Sequence, residues 1–178
     1  MKRIMSIVLV TVLGICLVSC GNSTSTASKE NVKEESKKEK SSEKKEVKTY
    51  SIGEKVSVKT SLGEYIFVVN SIEESSERNE FSDKKADRVI IISYTYENIS
   101  YSKDLYISDI NFKLYDKANT KMETYPTIGT GGNAAISTGR NITAKSAFAL
   151  NSAENYVELE YYDNMFDSSA DCKFVLTW

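Results

Sequence analysis

From Val56 onward, apolar and polar residues alternate in short runs, and no stretch carries a sustained stripe of helical period. This period-two pattern predicts strands with one buried face. Val56 and Val58 mark a first strand after Gly53. Tyr65-Ile66-Phe67-Val68-Val69 is apolar at every position and predicts an interior strand. Val89 to Tyr96 (VIIISYTY) is β-branched and aromatic, the strongest strand signal in the chain. Ile110, Phe112 and Leu114 alternate with Asn111, Lys113 and Tyr115. A weaker strand runs from Ile142 to Leu150, with Phe148 and Leu150 on one face. Val157, Leu159 and Tyr161 alternate with Glu158 and Glu160, and Cys172, Phe174, Leu176 and Trp178 share one face of a last strand. A brief helical turn is predicted near Ser152 to Asn155. About seven or more short antiparallel strands separated by turns predict an all-β sandwich.

The first twenty residues follow a different pattern. Met1-Lys2-Arg3 is a basic start, and Ile4 to Val18 is apolar and uncharged. Together with the small residues that follow, this has the form of a secretory signal. The run from Ile4 to Ser19 has 16 residues, fewer than the roughly 20 needed to cross the hydrocarbon core as a helix. Leu17-Val18-Ser19-Cys20 resembles the lipobox of bacterial lipoproteins. That resemblance implies a diacylglyceryl group on the Cys20 thiol and cleavage that leaves Cys20 as the new N-terminus. An uncleaved span and a plain secretory signal are the competing readings. Two acyl chains give the stable anchoring that one does not.

Gly21 to Lys48 is Ser, Thr, Lys and Glu with almost nothing apolar, eight Lys against six Glu. Such a segment cannot bury enough surface to offset the entropy of ordering, so a disordered tether is predicted. Its reach by the square-root rule is roughly 30 Å. The predicted organisation is therefore a lipoprotein signal peptide at 1–19, a lipidated Cys20 with tether over 20–48, and one domain over 49–178.

That domain carries 13 Lys and Arg against 19 Asp and Glu, a net charge of −6. An acidic domain is a poor partner for nucleic acid, which needs clustered cations. Histidine is absent from the sequence. Ser-His-Asp and Cys-His catalysis and the usual zinc sites are thereby removed. Cys16 leaves with the signal and Cys20 would be thioether-linked, so Cys172 has no cysteine to pair with and reads as a small core residue. Aspartates gather at Asp163, Asp167 and Asp171, and at Asp104, Asp109 and Asp116, but their spacing matches no EF-hand loop. Gly129-Thr130-Gly131-Gly132-Asn133 lacks the Lys-Ser/Thr of a phosphate cradle and reads as a flexible loop available for contact.

GEKVSVKTSLGEYIFVVNSIEES, DRVIIISYTYENIS, INFKLYDKANTKMETY and YVELEYYDNMFDSSADCKFVLTW occur in this order. In these segments the chain resembles the uncharacterised Gram-positive lipoproteins that carry a telokin-like, immunoglobulin-like β-sandwich. The resemblance implies a surface-exposed sandwich on a lipid tether and carries no catalytic residues with it. One departure is the turn Asp116-Lys117-Ala118-Asn119, where relatives often have Gly; Asn119 can take a positive φ at modest cost.

Eleven tyrosines provide material for an aromatic binding face. The candidate contact surface is Tyr94, Tyr96, Tyr101, Tyr106, Tyr115 and Tyr125, set against the simpler reading that tyrosines pack across strands. Two classes of function are compatible with these residues. One is a non-catalytic module, anchored outside the cell, that binds a protein or a cell-wall component. The other is a small-ligand or metal site, hydrolytic in one form, built on the acidic loops. The first needs nothing the chain lacks, and no cofactor, metal or nucleic acid is expected.

Overall fold

The computed structural model describes residues 46–127 and 129–178. The signal peptide, Cys20 and most of the tether lie outside the described residues. The described residues form nine strands: β1 (Thr49–Tyr50), β2 (Val56–Thr60), β3 (Gly63–Ser75), β4 (Arg88–Asn98), β5 (Phe112–Tyr115), β6 (Glu123–Thr124), β7 (Asn141–Leu150), β8 (Tyr156–Tyr161) and β9 (Cys172–Thr177). They make an all-β sandwich of two sheets, ordered β1-β9-β8-β5 and β2-β3-β4-β7-β6. Neighbours are antiparallel except β1, which runs parallel to β9 through Thr49 and Tyr50. The Lys173 amide already donates to the Lys48 carbonyl, so pairing begins one residue before β1.

Alternation places the core. Val157, Leu159 and Tyr161 of β8 face inward, as do Cys172, Phe174 and Leu176 of β9. On β3, Tyr65, Phe67 and Val69 face inward, while Ile66 and Val68 are half-buried on the outer face, so this stretch is not buried on both sides. The strand does not end at Val69. A register shift between Val69 and Ser71 inserts one residue, and the inward set moves from odd to even positions, which buries Ile72. The Asn70 amide steadies the bulge by donating to Thr95 Oγ1 at 2.9 Å.

Phe67 is the centre of the core. Its ring stacks on Tyr161 with centroids 4.5 Å apart and lies 5.7 to 6.0 Å from Phe112, Phe174 and Tyr94. These partners come from both sheets, so one side chain joins the two layers.

A second, smaller cluster covers the outer face of the five-stranded sheet at one end. Val89, Ile91, Ala147 and Ala149 are buried there with Tyr125. Val89 to Ile92 is apolar at every position because both faces of β4 are covered at this end.

Two further expectations change. Ile110 does not belong to a strand. Asp109–Asn111 forms a 3-10 turn, in which the Ser108 amide donates to Asn111 Oδ1 at 3.1 Å, and Ile110 points to solvent. Residues 152–155 bend without forming a helix. Asn119 does adopt a left-handed φ of 60°. Asp116 Oδ1 accepts from the amides of Ala118 and Thr120 and holds that turn.

The outer face of the four-stranded sheet carries a ladder of alternating charge, Lys113 opposite Glu160 and Glu160 opposite Lys173. Lys173 Nζ reaches Glu158 at 2.8 Å and Glu160 at 2.9 Å. Burial pushes the Glu160 carboxyl up, but the Tyr162 hydroxyl and the Lys173 ammonium outweigh it and hold the group below its ordinary value.

Two predictions follow from this packing. Phe67→Ala removes the joint between the layers and should lower unfolding free energy by about 3–5 kcal/mol, read from urea titration. Glu160 binds its proton more weakly in the fold than in the unfolded chain. Its stabilisation is therefore complete above the ordinary value of 4.5 and is lost as pH falls through the lowered folded value. Glu160→Gln should flatten the acid limb of a stability-against-pH curve in that window and leave the neutral limb parallel to wild type.

Candidate functional site

The sandwich interior offers no room for a ligand, because large side chains from both inner faces fill it. Binding chemistry must therefore lie at the edges and loops. Three of the six candidate tyrosines do not reach solvent. Tyr94 and Tyr96 are fully buried and Tyr125 nearly so, because the even positions of β4 face the core and Tyr125 seals the second cluster. Tyr101 is half-buried and packs edge-on against Tyr65 at 6.0 Å. Tyr115 is half-buried on β5, and only Tyr106 stands free of the surface, at 51% exposure. The six do not form one face.

The buried phenols do something else. Four of them, Tyr65, Tyr94, Tyr96 and Tyr125, bond their hydroxyls to connecting segments. Tyr96 donates to the Ala134 carbonyl at 2.6 Å and accepts from the Ala134 amide at 3.0 Å. Tyr94 lies 3.4 Å from both the Ile107 carbonyl and Ser146 Oγ. Tyr125 accepts from the Asn79 amide at 3.2 Å. Tyr65 donates to Asp163 Oδ1 at 2.6 Å and shares a 2.6 Å bond with Tyr161. Burial raises the Tyr65, Tyr94 and Tyr96 phenols above the ordinary tyrosine value, Tyr94 to about 12, and the Tyr161 and Asp163 neighbours push Tyr65 further up. A buried hydroxyl needs a partner, and here the partner is a loop.

Four of the six candidate aspartates are likewise taken up locally. Asp163 accepts from Tyr65, Asp171 accepts from the Asp163 amide at 2.8 Å, and Asp167 accepts from Asn164 at 2.9 Å. Asp116 shapes its own turn. Among the described residues, no group of three or more His, Cys, Asp or Glu side chains is placed to hold a metal ion. Cys172 is buried in the core, facing inward from β9.

Three clefts gather in one region, while another, of about 300 Å³, lies apart on the outer face of the five-stranded sheet beside Ile66, Thr95 and Asn141. Residues 76–87, between β3 and β4, and residues 120–133, around β6, fold over the outer end of the five-stranded sheet. A cleft of about 410 Å³ opens there, lined by Lys84, Asp109, Tyr125, Asn133, Lys145 and Ala147 among others. A neighbouring cleft of about 280 Å³ shares Lys84 and adds Lys85, Asp116 and Lys121. A third, of about 510 Å³, is bordered by residues 77–81 and Thr127 and carries Phe81 at 98% exposure. Lys84 and Lys145 pair with Glu123 and Glu73 at 3.4 and 3.5 Å, both in solvent.

The glycine run supplies the lip of the 410 Å³ cleft. It is not a loose loop. Gly131 exchanges two backbone hydrogen bonds with Lys145, each 2.8 Å. Gly129, Gly131 and Gly132 all hold positive φ, and a Cβ on Gly132 would stand 3.1 Å from the Thr143 carbonyl oxygen. The run therefore lies against β7 in a conformation open to glycine. Lys84 and Lys145 were not singled out by the sequence. They are remote in sequence, and only the glycine run marked the place.

Comparison with known proteins agrees with this architecture. The crystal structure of a secreted protein from Mycobacterium tuberculosis, MPT63, is similar over 74% of this chain and 98% of its own, at 12% identity and a TM-score of 0.56. The yjhA protein from Bacillus subtilis is similar over 72% of this chain and 98% of its own, at 20% identity and a TM-score of 0.51. Both likenesses are of fold. No curated protein matches the chain. Among the described residues, no helix is long and apolar enough to cross a membrane. A family model matches residues 50–171, nearly the whole sandwich, and by that match the chain belongs to the family described as Domain of unknown function (DUF4352).

Proposed function

We propose that this chain is a non-catalytic interaction module, held at the outer face of a cell membrane by a lipid on Cys20. The observation that carries the binding half of this reading is the gathering of clefts where residues 76–87 and 120–133 fold over one end of the sheet. Phenol hydroxyls and paired glycine backbone hold these segments in place, so the clefts are standing features that need no rearrangement to bind. The acidic loops show no comparable convergence, which leaves the hydrolytic alternative without support from geometry. The partner class is a protein or a component of the cell wall.

The anchoring half rests on Met1 to Cys20, with its basic start, apolar run and Leu17-Val18-Ser19-Cys20 close. The description of MPT63 as a secreted protein agrees with an extracellular place. A polar tether over 20–48 would let the head explore a volume above the bilayer, where a modest affinity is multiplied by local concentration.

Each half has its own test. Mass spectrometry of membrane-bound protein should find a diacylglyceryl thioether on Cys20, and Cys20→Ala should move the chain into the soluble fraction. Bare Cys20 in membrane-bound protein overturns the anchor. Separately, the full-length chain should retain envelope material that a Phe81→Ser/Lys85→Ser/Lys121→Ser variant does not. All three positions are exposed, so folding should be unaffected. Equal retention by the variant sinks the role of these loops.

A further inference from the structure

We propose that the 410 Å³ cleft beside β7 binds a short saccharide. This deepens the module reading above and rests on it, since it names the chemistry of a cell-wall ligand. The cleft falls within the roughly 300–1,000 Å³ range usual for small-ligand sites.

Unspent hydrogen-bonding capacity on its rim identifies the ligand class. Asp109 is half-buried and its carboxylate accepts no hydrogen bond from the described residues. Asn133 donates its side-chain amide to Tyr106 Oη at 2.8 Å, while its side-chain carbonyl oxygen accepts no hydrogen bond from the described residues and the Tyr106 proton is available. Lys84 and Lys145 stand on the same cleft in long, solvent-exposed ion pairs that a ligand oxygen can replace, Lys84 Nζ also donating to the Thr124 carbonyl at 3.1 Å. Acceptors and donors thus alternate around one opening.

Other ligand classes fit less well. A simple anion would meet the Asp109 carboxylate. A simple cation would meet two lysines. An apolar ligand would cover Asp109 and Asn133 without pairing them, which is costly. A sugar hydroxyl both donates and accepts, so neighbouring hydroxyls can satisfy Asp109 and Asn133 while the lysines donate to other ring oxygens. Pro126, exposed on the same cleft, gives apolar surface for the C–H face of a pyranose. The lip is already fixed, by the Gly131 to Lys145 pairing and by the Tyr96 bonds to Ala134, so little ordering is needed on binding.

The test is amide NMR titration of the full-length chain with chitotriose, with maltotriose and with inorganic phosphate. At least one trisaccharide should shift the Gly131, Asn133 and Lys145 amides, and phosphate should not. Asp109→Asn and Asn133→Ala should each weaken that binding about tenfold, while thermal unfolding stays at the wild-type midpoint. The proposal fails if neither trisaccharide moves those amides at millimolar concentration, or if phosphate alone does. It also fails if saccharide binding survives in both variants. A chain that retains envelope material yet gives none of these shifts keeps the module reading and loses the cleft. A chain that binds a trisaccharide in the cleft but retains no envelope material keeps the cleft and loses the loop-mediated partner.

Discussion

The contact between Phe67 and the aromatic rings around it is the constraint on which this sandwich depends. Two sheets pack only if their inner faces interdigitate, and a ring near the middle must be filled on every side. Phe67 on β3 meets Tyr94 on β4 within its own sheet, and Phe112, Tyr161 and Phe174 on β5, β8 and β9 in the other. The bulge after Val69 lies close by for a reason. A long strand must keep facing a twisted partner sheet, and one inserted residue lets β3 bury Tyr65, Phe67 and Val69 on one side of the bulge and Ile72 on the other.

Filling a core with tyrosine rather than phenylalanine has a consequence beyond packing. Each ring brings a hydroxyl that must be bonded where it ends, and here it ends at the margin of the sandwich. Tyr65, Tyr94, Tyr96 and Tyr125 therefore fix residues 163, 107, 134 and 79 in turn. Core packing and loop order become one property. This is how a small fold of short strands can carry well-defined clefts without disulfides, which the cysteine content of the domain does not permit.

The legible part of the chain was the part governed by alternation. β8 and β9 read correctly because one face is apolar and the other charged, with Glu158, Glu160 and Lys173 outside. Asn119 read correctly because a tight turn leaves few residues able to take a positive φ. The orientation of β4 was not legible. Val89 to Ile92 is apolar on both faces, so periodicity could not say which side Tyr94 and Tyr96 would take, and a surface role was a consistent reading. Ile110 was misplaced because three alternating apolar residues look alike whether a strand starts at 110 or 112; Ser108 and Asn111 close a turn there instead. The parallel β1 was invisible, since two residues carry no period. The cleft was least legible of all. Lys84, Asp109, Asn133 and Lys145 come from four separate segments, and only the folded chain brings them to one opening.

This division explains why a shared fold need not carry a shared binding chemistry. A sandwich asks of its strands only alternation, volume and turn chemistry, and these survive extensive substitution. MPT63 keeps the architecture at 12% identity over nearly its whole length. The edge clefts are under no such constraint, because Asp109, Asn133 and Lys145 can change without touching Phe67 or its partners. Chemistry at the rim is therefore free to diverge while the layers persist, and similarity of fold transfers none of it. What this chain binds has to be read from its own rim residues, and there the half-buried Asp109 and the side-chain carbonyl of Asn133 are the groups that a bound partner would have to satisfy.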